Sequence, residues 1–92
     1  MPFEWDPEKS IANKEKHGID FDTAKTIWSD ENRIEIHVSY PMEDRWIMIG
    51  KTDDKLMTAV FTLRGNLIRI ISVRRSRKKE VDLYEEKVIR KE

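Results

Sequence analysis

An α+β layer fold, ordered β-α-α-β-β-β-β-α, is predicted by three features of the sequence. Capping residues and apolar positions at helical spacing mark helices near both ends. Between them, apolar residues recur in successive strand-like runs, the first with strict alternation. Two-residue turn candidates, Asp53-Asp54 and Gly65-Asn66, link the last three runs. The expected architecture is an antiparallel sheet with two N-terminal helices on one face and a C-terminal helix.

Residues 3–5 read as a short strand. Asp6 is then a good N-cap, with Pro7 at the first helical position and Glu8 in the first turn. That helix runs to about His17, where Gly18 supplies a left-handed residue and Lys14, Lys16 and His17 suit the negative helix end. Asp20 caps a second helix in which Phe21, Ala24, Ile27 and Trp28 share a face. Residues 32–40 alternate: Ile34, Ile36, Val38 and Tyr40 point one way, Arg33, Glu35, His37 and Ser39 the other. Residues 41–44 turn the chain. Strands follow at 45–52, 56–64 and 67–75, and from Ser76 a last helix carries Val81, Tyr84 and Val88 on one face.

The two turns fix a register. Arg64 then faces Leu67, Thr62 faces Arg69, Phe61 faces Ile70 and Val60 faces Ile71; Trp46 faces Phe61 and Arg45 faces Thr62. One sheet face carries Trp46, Met48, Ala59, Phe61, Ile68 and Ile70, a core for the N-terminal helices to cover. The other carries a row Arg45–Thr62–Arg69 with no acid opposed to it, and Arg64 diagonal to Arg69 at roughly 7 Å. Ile47, Val60 and Ile71 lie further along that face, where the last helix can cover them. Planar guanidinium forks in a row suit phosphate oxygens. The alternative is that Arg45 and Arg69 pair with helix acids such as Glu80 or Asp82. A one-residue slip in either turn dissolves the row.

Ninety-two residues fit one small domain, 1–92, and no apolar run approaches the ~18 residues of a membrane span. Residues 1–10 carry Glu4, Asp6 and Glu8, unlike a signal peptide. Cysteine is absent, which excludes disulfides, thiolate metal sites and Cys nucleophiles and suits a reducing cytoplasm. The net charge of zero hides a dipole: residues 1–44 hold eleven acids and five bases, residues 45–92 thirteen bases and seven acids. Residues 64–79 carry seven bases and no acid. Either the halves neutralise each other or the basic half meets an anionic partner.

RNA brings its own nucleophile, the 2′-OH. Cleaving it takes a base near that hydroxyl, cations for the charge on phosphorus and an acid for the leaving oxygen. Arginine and lysine suit the second task; Tyr84, Glu80 and His17 are candidates for the others. Tyr84 also suits base stacking, or plain core packing with a satisfied hydroxyl. His17 suits a helix end equally, and His37, on a polar strand face, reads as solvated. Lys78 and Lys79 begin a helix, where cations oppose the dipole and so suit a ligand. Two separated histidines, with no HExxH or calcium loop, indicate no metal site, and no nucleotide-cofactor motif is present.

Phe3-Glu4-Trp5-Asp6, Asn13, Lys16-His17-Gly18, Phe21 and Ala24, then Arg45, Gly50, Arg69-Ile70-Ile71-Ser72-Val73-Arg74, Glu80 and Tyr84, resemble the BrnT family over nearly the whole chain. Ser76 departs from the alanine common there, a small-for-small change. The resemblance implies a RelE-like fold and a type II toxin, a ribonuclease that blocks translation without a metal or other cofactor. It also implies a BrnA-type ribbon–helix–helix antitoxin and, through that antitoxin, contact with operator DNA in repressing the shared operon. Arg69 and Arg74 become RNA-contacting positions. Arg64, Arg74, Glu80 and Tyr84 are then the candidate catalytic residues. Arg45, Arg69, Arg75, Arg77, Lys78 and Lys79 are the candidate RNA-binding ones. The competing reading is a non-catalytic nucleic-acid-binding or protein-interaction module using the same basic face.

Overall fold

The computed structural model describes residues 2–39, 41 and 43–91. Tyr40, placed by alternation on the same side of its strand as Ile34, Ile36 and Val38, lies outside them. The elements are β1 (Phe3–Glu4), α1 (Pro7–His17), α2 (Phe21–Ala24), a 3-10 helix (Lys25–Ser29), β2 (Ile34–Val38), β3 (Arg45–Thr52), β4 (Lys55–Arg64), β5 (Leu67–Arg75) and α3 (Lys78–Lys91).

Local chemistry sets the helix ends. Asp6 accepts the Glu8 N–H at 2.9 Å, and Gly18, at φ 78°, returns its N–H to the Lys14 carbonyl at 2.9 Å. Asp20 accepts the Thr23 N–H at 2.8 Å. The second helix does not run through Trp28 as one α-helix; it tightens at Lys25 into the 3-10 helix. That turn presses Ile27 onto β3: a Cβ on Gly50 would stand 3.0 Å from Ile27 Cγ2 and 3.2 Å from the Ile27 carbonyl oxygen. Only glycine lets the two backbones approach so closely.

The sheet order is β1-β5-β4-β3-β2. Both hairpins form as expected. Asp53 and Asp54 take φ 51° and 62°, as a type I′ turn requires, while Gly65 alone is positive, at 58°, in the other. The sheet is mixed, however, not purely antiparallel: β1 runs parallel to β5, with Phe3 beside Ile68 and Glu4 beside Arg69. A two-residue turn forces antiparallel pairing, but the long connection from β1 to β5 imposes no direction.

The register holds at Trp46–Phe61, Phe61–Ile70, Thr62–Arg69 and Arg64–Leu67. It slips once. Val60 pairs with Ser72, not Ile71, because a bulge follows Ile70; Thr58 then meets Arg74 and Met57 meets Arg75. Strict alternation from Ile68 and Ile70 would have driven Arg74 into the core and Val73 out of it. One extra residue reverses both, and Val73 is fully buried.

The core lies between the sheet and the N-terminal helices, where Phe21, Ala24 and Ile27 meet Met48, Ala59, Phe61, Ile68, Ile70 and Val73. Trp46 is only partly buried at its border, stacked on Phe61 at 6.2 Å. Asn13 ties α1 to the sheet. Its Nδ2 donates to the carbonyls of Ile19 (2.8 Å) and Val73 (2.9 Å), and its Oδ1 accepts the Val73 N–H at 3.1 Å.

On the other face α3 is pinned at three points: Glu80 to Thr58, Tyr84 to Asp30, and Lys87 Nζ to the Arg33 carbonyl at 2.7 Å. It therefore crosses the strands from β5 toward β2, over fully buried Thr58 and Ile49. Ile47, Val60 and Ile71, expected beneath it, are only half-buried. The helix sits one row nearer the Asp53-Asp54 turn and leaves a shelf of sheet open. Among the described residues no helix is long and apolar enough to cross a membrane.

Candidate functional site

The open shelf is bounded by arginines. Arg69 pairs with Thr62, and Arg45 precedes the Trp46–Phe61 pair, so both flank Thr62. Thr62 is buried and donates its hydroxyl to the Asp44 carbonyl at 2.9 Å. Arg64 is exposed at the Gly65-Asn66 hairpin. The row does have an acid beside it, contrary to expectation. β1 delivers Glu4 next to Arg69, with Oε1 3.5 Å from Nη1. That is longer than the 2.7–2.9 Å of a tight charged hydrogen bond, and both side chains keep about 30% exposure, so the pair is loose. Asp82 meets Lys78 instead, at 3.2 Å.

The tight pair is Arg74 with Glu80. Two parallel bonds, Nη1–Oε1 at 2.7 Å and Nη2–Oε2 at 2.9 Å, join side chains only 20% and 13% exposed. The carboxylate also accepts the Arg77 N–H at 2.8 Å and the Thr58 hydroxyl at 3.0 Å. Glu80 thus caps the first turn of α3 and holds Arg74 in one rotamer. The bulge makes this possible, since it brings Arg74 to the α3 face beside Thr58. The Arg74 hydrogen bonds hold Glu80 down to about 2, against partial burial, helped by Arg77 and Thr58. Arg74 is shifted up by the same bonds.

A carboxyl depressed in the folded state stabilises the fold above its unfolded pKa and loses that contribution as pH falls through the folded value. The window here runs from 4.5 down to about 2. We expect the wild-type protein to exceed Glu80→Gln by about 2 kcal/mol at neutral pH, a figure discounted for the pair's partial exposure, and the gap to close across that window. Thermal melting of both proteins from pH 7 to pH 2 reads this directly; a gap independent of pH would contradict it.

Tyr84 is 4% exposed, and its hydroxyl donates to Asp30 Oδ2 at 2.7 Å. Burial and the Asp30 carboxylate push it up to about 12. Its ring faces the fold rather than a stacked base. Asp30 also accepts the N–H groups of Asn32 and Lys51, each at 2.8 Å, and these bonds with Tyr84 lower it despite burial. Asp30 is thus the anchor of α3, and sequence reasoning missed it. Its position just past the 3-10 helix was the available signal; its partner 54 residues away was not.

The remaining candidates divide. Arg77, Lys78 and Lys79 stand exposed at the start of α3. Arg75 alternates to the opposite face, across from Met57. His17 closes α1, half-buried, and His37 Nε2 lies 3.3 Å from the Asp44 carboxylate. No group of three His, Asp or Glu residues able to hold a metal occurs among the described residues.

Arg69 and Arg74 stand opposite Thr62 and Thr58, four residues apart on β4, hence ~13 Å along the strand. They can contact different phosphates of one strand but not share a phosphate. Of the two, Arg74 is the preorganised one, fixed by Glu80, and a cation so fixed can stabilise charge building on phosphorus.

Residues 5–80 match the family model of the ribonuclease toxin BrnT of type II toxin-antitoxin systems. No curated protein matches the chain.

Proposed function

The chain belongs to the BrnT family of ribonuclease toxins, and we propose that it cleaves single-stranded RNA laid along β5 and the first turn of α3. The observation that carries this is the bulge after Ile70, which brings Arg69 and Arg74 to one sheet face. Arg69, Arg45 and Arg64 hold the strand over the open shelf, and Arg77, Lys78 and Lys79 extend the track. Arg74 meets the scissile phosphate. The 2′-OH attacks phosphorus, a P–O bond forms as the bond to the 5′-oxygen breaks, the hydroxyl proton ends on the departing 5′-oxygen, and the Arg74 N–H groups that Glu80 leaves unused meet the added charge. Glu80 acts through Arg74 as a positioning residue. Tyr84 acts through Asp30, fixing the helix that carries Glu80.

Family membership implies a protein antitoxin. In this proposal it is of the BrnA type, with a ribbon–helix–helix part that takes the pair to operator DNA. The toxin is a single domain of RelE-like fold that blocks translation in the cytoplasm. The RNA brings the nucleophile and arginines meet the charge on phosphorus, and cleavage without a metal is part of the proposal. The test is incubation of the folded protein with single-stranded RNA in excess chelator. Fragments are the expected result. RNA bound but left intact would select the non-catalytic binding module.

A further inference from the structure

The bulge has an effect on the opposite face as well. By sending Arg74 one way it sends Arg75 the other, across from Met57. Lys55 lies two residues before Met57 on β4 and so shares that face, diagonal to Arg75. The end of α1 brings Lys14 and His17, one turn apart, to the same place. These four basic side chains, from three elements, line one cavity of about 180 Å³, together with the hydroxyl-bearing residues Thr23 and Thr52. The volume is far more than a single water needs.

Asp53 is the one carboxylate in the lining. Among the described residues, none of Lys14, His17, Lys55 and Arg75 is in an ion pair within 4.0 Å. Lys14 and His17 also oppose the carbonyl end of α1, which accounts for their place there. The helix end does not account for Lys55 and Arg75, which come from the sheet. Like charges gathered around a cavity repel unless an anion joins them. Elsewhere this chain neutralises its better-buried arginines, Arg69 with Glu4 and Arg74 with Glu80. Here Lys14 acts on Asp20 only from beyond ion-pair distance and Asp53 lines the cavity, but among the described residues no acid stands within 4.0 Å of Lys55 or Arg75.

We propose that the cavity between the end of α1 and the Lys55–Arg75 corner of the sheet is a second anion site, which takes a phosphate group of the RNA strand. The ligand identity rests on the proposed RNA substrate; the anion site itself does not. A strand leaving Arg74 passes the end of β5 and reaches Arg75 on the far side, so the two sites read successive parts of one chain.

Inorganic phosphate is the first probe. His17 sits in the cavity and His37 on the far strand, so the second histidine is an internal control. Phosphate titrated into the full chain should shift the His17 imidazole resonances and leave those of His37 in place. In Lys55→Gln/Arg75→Gln, both exposed positions, the His17 shift should be lost while the melting temperature is kept. An unmoved His17 in the wild-type protein overturns the anion site. The second probe is a single-stranded RNA made uncleavable by 2′-O-methyl groups. Binding should move His17 and lose about 0.7 from its log–log salt slope in the double variant, the share of the one phosphate that the cavity takes. RNA that binds with His17 unmoved and an unchanged slope overturns the RNA assignment alone. RNA that does not bind at all defeats the proposed substrate, while the phosphate titration still decides the site.

Discussion

Replacing Asn13 by alanine should lower the stability of the fold by about 3 kcal/mol, the largest loss expected from removing one side-chain amide here. Three bonds go at once: two to the Ile19 and Val73 carbonyls and one from the Val73 N–H. Asn13 is 7% exposed and Val73 fully buried, so water does not replace them. β1 covers β5 only at Ile68 and Arg69. Beyond that point the Asn13 amide stands in for a missing strand, giving one donor and one acceptor to the same residue. At 4–8 °C per kcal/mol for a domain of this size, melting should fall by about 15 °C. Asn13→Asp should be worse, since it removes both donors and sets a buried charge against two carbonyls. A loss under ~1 kcal/mol for the alanine variant would show that the edge of β5 is satisfied in another way.

The second large effect is on cleavage. Arg74→Lys keeps the charge but not the fork, and Arg74→Ala removes both; the alanine variant should cleave RNA 10²–10³-fold more slowly, the usual scale for one electrostatic donor, with the lysine variant between. Stability complicates the comparison, because Arg74→Ala strands a half-buried carboxylate. The double variant Arg74→Ala/Glu80→Ala removes that stranded charge. It should recover part of the lost melting temperature and none of the lost cleavage. A double variant that cleaves as fast as wild type would reduce Arg74 to a structural cation. Rates belong well below the melting temperature of every protein compared.

Much of the frame was legible because local rules decide it. Asp6, Pro7 and Gly18 bound α1 by capping chemistry alone, and Asp53-Asp54 and Gly65-Asn66 set two hairpins by backbone geometry. The register at Thr62–Arg69 followed from the second turn. What escaped is non-local. The bulge after Ile70 is a contest between burying Val73 and burying Arg74, and alternation counting has no energy in it. The Glu4–Arg69 contact required knowing that β1 returns beside β5. The Arg74–Glu80 clamp needed the bulge and the start of α3 together, so a sequence reading that placed both residues at the site did not join them. Tyr84 was open between stacking and packing; Asp30 settles its hydroxyl on the inside. The basic row is therefore less bare than its sequence. One arginine is held loosely by an acid, one tightly, and the loosely held one has the easier exchange for phosphate.

Binding of a 2′-O-methyl single-stranded RNA, measured against salt, tests that reading most directly. The log–log slope should flatten by about 0.7 in Arg69→Gln and again by about 0.7 when Arg74→Gln is added, with affinity falling at low salt. A slope that both variants leave at the wild-type value would mean that RNA does not lie on this face.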